Sequence, residues 1–324
     1  MSANDVLIEA KGLTKLFPIT SSILGKKVSI RAVDDVNLTI KKNEILGLVG
    51  ESGCGKSTLG KLLVRLLEPT SGVVLFKGNN IYKLKGSALK QYRKNVQMVF
   101  QNPYTSFDPR LTLFDNIAEP MYTHKLALNK KEALTLAMGY FEDVGLTPPE
   151  DFLMRYPHEL SGGQLQRASI ARAIALEPEF IIADEPTSML DASLRSGILN
   201  LIKKLKDELK TSWLFITHDL PSAYYIADRI AVMYLGKIVE IGKSKEVLKN
   251  PLHPYTKALL DANLPLDPDA PLREPKVKGE PRPVIETGYC RFAPRCPYAF
   301  ERCKKEEPPL VEVKKDHYVA CWLY

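Results

Sequence analysis

The sequence predicts an α/β fold around a mostly parallel sheet, with an N-terminal β-subdomain, an inserted helical subdomain and a small irregular Cys-rich C-terminal module. Three observations carry this. Short apolar runs bounded by turn formers alternate with helical periodicity over residues 44–100 and again over 180–241, the pattern of strand-helix repeats. Between them, from 111 to about 176, apolar residues recur at helical spacing with almost no strand signal. Residues 251–324 hold 12 of the 23 prolines and four of the five cysteines, with little periodicity, and so read as a separate irregular segment.

Taken in order, residues 6–17 (VLIEAKGLTKLF) begin as a short strand and end at an aromatic residue, 19–27 read as a surface loop, and 29–40 alternate well enough for paired strands. Residues 44–49 are a buried strand. The turn Gly50-Glu51-Ser52-Gly53-Cys54-Gly55 cannot continue it, and Lys56 opens an amphipathic helix. Residues 68–72 turn the chain into a strand at 73–76, 87–94 are helical, and 95–100 (NVQMVF) form another buried strand. Turn formers at 102–109 open the helical subdomain, about 102–176. Strands return at 180–184, 213–217, 229–235 and 237–241, separated by helices at about 192–210 and 219–227. A boundary near Leu264 divides a domain of residues 1–264 from an extension of 265–324.

Composition narrows the function. No run approaches the roughly 18 apolar residues of a membrane-spanning helix. The start, MSANDVLIEAKG, lacks the basic head and apolar core of a secretory signal, so the chain is expected on the cytoplasmic side. A formal charge of +7 spread over 324 residues describes a generally basic surface, and no nucleic-acid partner is expected from it.

The chemistry starts at the spacing Gly50-x4-Gly55-Lys56-Ser57 between a strand and a helix. Backbone N–H groups of such a loop curl around phosphate oxygens while the helix points its positive end at them. Gly50, Ser52, Gly53, Cys54 and Gly55 form the cradle, Cys54 as a small loop-filling residue. Lys56 supplies a mobile charge for the β and γ phosphates, Ser57 a hydroxyl for Mg²⁺, and Thr58 a bond to an inner phosphate. A Gly-rich turn that merely caps a helix is the bland alternative, but chance would give the full pattern in about one chain in a hundred of this length. A nucleotide with Mg²⁺ is therefore the expected ligand, and the family resemblance given below makes it ATP. The strand at 180–184 ends in Asp184 and Glu185. Asp184 at the strand's carboxyl end suits Mg²⁺ and Glu185 suits polarising an attacking water, where an isolated strand would carry only an acidic turn. Ser161, Gly162, Gly163 and Gln164 at the start of a long helix over 165–176 make a second anion cradle, otherwise an ordinary N-cap.

Leu160-Ser161-Gly162-Gly163-Gln164 between a phosphate loop and a carboxylate pair resembles the signature of the ATP-binding cassette (ABC) ATPases. In that family two nucleotide-binding domains pair head to tail, and each signature serves the neighbour's ATP. The resemblance covers about residues 6–250. It implies that Gln101 is the Q-loop glutamine at Mg²⁺ and water, that Asp191 is the D-loop aspartate, with Met189 where Ala is usual, and that His218 is the switch histidine at the γ-phosphate. It also implies that Phe17 stacks on adenine, a place more often held by Tyr. Gln101-Asn102-Pro103 and Asn250-Pro251-Leu252-His253-Pro254-Tyr255-Thr256 are similar to the oligopeptide/dipeptide importer ATPases. That implies a second ATPase subunit, in that branch usually a paralogue, two transmembrane permease subunits, a substrate-binding protein and a peripheral place on the cytoplasmic membrane face. Relatives of that branch also import oligosaccharides or nickel, and soluble ABC proteins acting on DNA or ribosomes are a more distant alternative.

Cys290, Cys296, Cys303 and Cys321 are spaced x5, x6 and x17. The lack of C-x2-C argues against a ribbon-type zinc site, and four thiolates suit a [4Fe-4S] cluster, which the resemblance supports; zinc and free or paired thiols stay open. Arg282, Arg291, Arg295 and Arg302 read as solvated charges, with contact to a partner as the alternative.

Overall fold

The computed structural model describes residues 5–20, 27–263, 279 and 288–324. The chain divides into two compact units: Met1–Lys41 with Leu46–Tyr82 and Ile216–Tyr324, and Lys42–Ile45 with Lys83–Phe215. The boundary expected near Leu264 falls outside the described residues, and so does the centre of the loop expected at 19–27. The strands in chain order are β1 (Val6–Thr20), β2 (Lys27–Lys41), β3 (Ile45–Val49), β4 (Ser71–Phe76), β5 (Asn79–Asn80), β6 (Val96–Val99), β7 (Phe180–Asp184), β8 (Ser212–Thr217), β9 (Arg229–Tyr234), β10 (Lys237–Lys243), β11 (Val311–Lys314) and β12 (His317–Val319).

In the first unit β1 and β2 form a long antiparallel hairpin, and the sheet order is β2-β1-β4-β5. Both arms have 15 residues, longer than the expected short strand, because register shifts interrupt the β1–β2 ladder and break the alternation that a strand reading relies on. A second set runs β11-β12-β10-β9-β3. β3 lies parallel to β9, is buried at all five residues, and leads into the helix Lys56–Leu63. β9 returns as β10 through Leu235 (φ 43°) and Gly236 (φ 88°), a pair of left-handed residues suited to a tight hairpin. The C-terminal module is less irregular than the sequence suggests, since β12 pairs antiparallel with β10 and with β11. β11 is exposed at all four residues, so no burial pattern announces it.

In the second unit the order is β8-β7-β6, with β6 and β7 parallel and β7 and β8 fully buried. Four of its helices begin at side chains that accept a first-turn N–H. Thr112 does so for Leu113–Thr123, Asn129 for Lys130–Asp143, Ser161 for Gly162–Ile174 and Asp191 for Ala192–Leu209. Ala133, Ala137 and Phe141, at four-residue intervals, bury one face of Lys130–Asp143. Buried Asn116 ties down the segment after Gln101: its Oδ1 accepts from the Asp108 N–H at 2.8 Å and its Nδ2 donates to the Thr112 carbonyl at 2.9 Å. Among the described residues no helix is long and apolar enough to cross a membrane.

Candidate active site

The phosphate loop leaves β3 in a conformation that only glycine tolerates at two points. A Cβ on Gly50 would come within 2.2 Å of the Met233 carbonyl oxygen. One on Gly55, at φ 107°, would come within 2.0 Å of the Ala32 carbonyl oxygen. Gly55 starts the helix Lys56–Leu63 with no side-chain cap. The Lys56 side chain is folded into the loop, 4% exposed, and donates to the Gly50 carbonyl at 2.7 Å and the Glu51 carbonyl at 3.0 Å. Ser52 and Gly53 are exposed, while Ser57 and Thr58 are half-buried. Cys54 is buried, as expected of a loop filler, and burial pushes its thiol up. His218 is exposed at the end of β8; the next residue, Asp219, caps the helix Leu220–Ile226 by accepting from the Ser222 N–H at 3.1 Å. Phe17 is 37% exposed on β1, with the Lys15 ammonium 5.4 Å from its ring centre.

In the second unit Asp184 ends β7 and is 4% exposed. Glu185 follows in the left-handed region at φ 47°, a conformation that a glutamate holds only when its surroundings fix it and that recurs at working sites. Gln101 Nε2 donates to Glu185 Oε2 at 3.1 Å, so the structure joins these two residues. The signature turn forms a complete capping box: Ser161 Oγ accepts from the Gln164 N–H at 3.3 Å, and Gln164 Oε1 accepts from the Ser161 N–H at 3.0 Å. The helix therefore begins at Gly162, three residues before the expected start, because the glycines and Gln164 supply its first turn. Ser161 and Gly162 are exposed; Gly163 is buried, its missing Cβ position 3.0 Å from a Leu194 methyl. Asp191 accepts from the Ser193 and Leu194 N–H groups, each at 3.0 Å. These bonds, that of Leu194 foremost, hold its carboxyl below the usual carboxylate range. Met189 stands 61% exposed beside it.

Sequence reasoning missed a set of residues around the phosphate loop. The Tyr255 hydroxyl accepts from the Glu51 N–H at 2.8 Å. Arg291 and Arg295, expected as solvated charges, make ion pairs in which each arginine side chain is at most 13% exposed: Arg291 with Asp34, and Arg295 with Glu51. Burial next to fixed carboxylates overrides the general preference of arginine for water. Arg302 keeps its surface character, pairing with Glu306 at 2.8 Å over the Trp322 ring, and Arg282 lies outside the described residues. Glu240, fully buried on β10, accepts from the Leu252 and His253 N–H groups at 2.9 and 2.8 Å and bonds His317 at 2.8 Å, fixing the start of the segment that carries Tyr255. Burial pushes His253 down to about 4, and its Nδ1 accepts from the Tyr255 N–H at 3.0 Å.

Cys290, Cys296, Cys303 and Cys321 line one small pocket with Tyr298 and Trp322. Burial pushes the Cys290 thiol up to about 11 and raises Cys296 and Cys321 as well. Backbone N–H groups of Phe292 and Ala293 act on Cys290, that of Tyr298 on Cys296 and that of Leu323 on Cys321. Among the described residues no group of three or more His, Cys, Asp or Glu side chains is arranged to hold one metal ion. The expectation of a cluster thus finds its four residues in one place but not in a ligating arrangement.

Residues 33–188 match the family described as ABC transporter, and residues 239–303 match the one described as oligopeptide/dipeptide transporter, C-terminal region. The oligopeptide transport ATP-binding protein OppF of Bacillus subtilis (strain 168) is 51% identical over 317 residues, covering 97% of this chain and 96% of that protein. The dipeptide transport ATP-binding protein DppF of Haemophilus influenzae is 41% identical over 320 residues, covering 98% and 97%. The dimeric post-hydrolysis structure of the ATP-binding cassette MJ0796, bound to ADP and Pi, superposes with a TM-score of 0.65 at 31% identity over 74% of this chain and 99% of that one. With its uncapped phosphate loop, its capped signature turn and this similarity along nearly its whole length, the chain belongs to the ATP-hydrolysing subunits of the ABC transporters, in the branch with the oligopeptide/dipeptide-type C-terminal region.

Proposed function

We propose that the chain is one of two ATPase subunits that drive import of oligopeptides or dipeptides, bound peripherally to two transmembrane permease subunits and supplied by a substrate-binding protein. One observation carries the reading. A chain with a complete phosphate loop also presents a second, outward-facing anion turn at Ser161 and Gly162, which suits the triphosphate of a neighbouring subunit. Peptide as cargo is supported by the C-terminal match and by the names of the relatives.

In this reading Gly50, Ser52, Gly53, Cys54, Gly55, Lys56 and Thr58 bind the phosphates, and Phe17 stacks on the base. Ser161, Gly162, Gly163, Gln164 and Asp191 complete the partner's site. Glu185, oriented by Gln101, takes a proton from the attacking water, and His218 contacts the γ-phosphate. Ser57, Gln101 and Asp184 offer the oxygen donors that Mg²⁺ requires, and the ion when bound neutralises phosphate charge. A [4Fe-4S] cluster on Cys290, Cys296, Cys303 and Cys321 draws support only from their sharing one pocket; their thiols, raised by burial, would have to lose protons and shift into a ligating arrangement to hold it. It would supply one-electron redox chemistry and takes no part in hydrolysis.

Purification of the tagged chain from its source membrane should bring two polytopic proteins and a second cassette, with ATP hydrolysis stimulated by peptide and substrate-binding protein. Recovery as a soluble monomer with uncoupled hydrolysis would overturn the proposal. Iron and sulfide measured anaerobically on the same sample address the cysteines, and stoichiometric zinc without sulfide would remove the cluster.

A further inference from the structure

Glu51 is an awkward residue in a loop built to bind a triphosphate, since its carboxylate adds a negative charge where negative charge must arrive. Every polar group of Glu51 is nevertheless engaged. Its N–H donates to the Tyr255 hydroxyl at 2.8 Å, and its carbonyl accepts from Lys56 Nζ at 3.0 Å. Its two carboxylate oxygens accept from Arg295 Nη1 at 2.8 Å and Nη2 at 3.1 Å, a bidentate pair that fixes orientation as well as charge. Arg295 is held in turn. Its guanidinium stands 5.8 Å from the Tyr234 ring centre and 6.0 Å from that of Phe292, and Nη1 reaches the Tyr234 hydroxyl at 3.4 Å. Phe292 and Tyr255 pack against each other and against Tyr234, at 5.5, 5.3 and 4.5 Å between ring centres.

We propose that Arg295 is a positioning residue for nucleotide binding: it neutralises Glu51 and, with Tyr255, sets the phosphate-loop backbone, so that the cysteine-lined segment 290–296 holds the loop in its binding form. The inference rests on the reading of residues 50–58 as the ATP site. It assigns the segment a task in ATP affinity that holds whether or not the adjacent cysteines carry a metal.

The test is equilibrium binding of radiolabelled ATP, with steady-state hydrolysis, on the assembled transporter. Arg295→Ala should raise the ATP Kd and KM about 10- to 100-fold while kcat at saturating ATP stays within about threefold. The Kd defect should shrink as salt rises from about 0.05 to 0.5 M, because it comes from a bare carboxylate. Adding Glu51→Gln to Arg295→Ala should recover most of the affinity, which a merely structural arginine would not allow. Should Arg295→Ala fail to assemble, Glu51→Gln alone decides: the proposal requires it to bind ATP at least as tightly as the unaltered chain, and weaker binding overturns it. An unchanged Kd in Arg295→Ala, beside a Lys56→Ala control that loses ATP, also overturns it and leaves the ATP site standing. A Lys56→Ala control that still binds ATP normally would instead overturn the ATP site itself.

Discussion

The phosphate loop and the Ser161 turn are built on opposite plans. The phosphate loop has no side-chain cap of its own and is held from far along the chain, by Tyr255, Arg295 and the Gly236 N–H, which donates to the Cys54 carbonyl at 2.8 Å. The signature turn satisfies itself within four residues and leaves Ser161 and Gly162 exposed. A loop that must keep one shape around its own ligand gains from distant bracing. A turn that serves another subunit, as proposed for Ser161, needs only a rigid local form and an open face.

Four experiments break or sharpen this contrast. The largest effect is expected for Glu185→Gln, which should lower phosphate release by the assembled transporter about 10²- to 10⁴-fold, or about 3–5.5 kcal/mol, with ATP binding intact. Retained turnover would mean that another group is the base. Gly162→Asp comes next. A Cβ there meets nothing within 4 Å, so the isolated chain should fold and bind ATP as before while the complex loses about 10²- to 10³-fold in turnover. If the isolated chain loses ATP affinity instead, the turn serves its own subunit.

Acid should strike the braced side. His253 is held neutral by burial, with its folded value down at about 4 against about 6.5 when unfolded. The unfolded chain therefore binds the extra proton between those values, and this site's contribution falls as pH drops through 6.5, reaching a loss of about 3 kcal/mol near pH 4. Urea titrations from pH 7 to pH 4 should show a shallower decline in His253→Asn. The smallest effect is expected for Ser161→Ala, which removes a local cap and should cost about 1 kcal/mol of stability in thermal unfolding.

What the sequence made legible follows the same contrast. The strand, glycines and Lys56 of the phosphate loop are contiguous, and so is the Ser161 turn, so local rules sufficed for both. The braces were invisible because Tyr255 lies 204 residues from its partner Glu51, Arg295 lies 244 residues away, and Arg291 is 257 residues from Asp34. The segment containing Tyr255 could be read as a branch marker but not as a contact. β11 and β12 were missed because VEVK is wholly exposed and three residues at β12 are too few to show a period. The left-handed Glu185 leaves no trace in composition, since nothing about a glutamate after a strand forces a positive φ.

The pairing of β12 with β10 bears on synthesis. The second unit is nearly one continuous stretch, whereas the first needs residues 216–324, and the buried carboxylate of Glu240 acquires His317 only when that residue has been translated. A nascent chain that has long since displayed its Lys56 loop still carries an open strand edge and an incompletely partnered internal acid. Closing that edge and completing the Glu240 site therefore both wait on residues 317–319, far along the chain from the loop at Lys56.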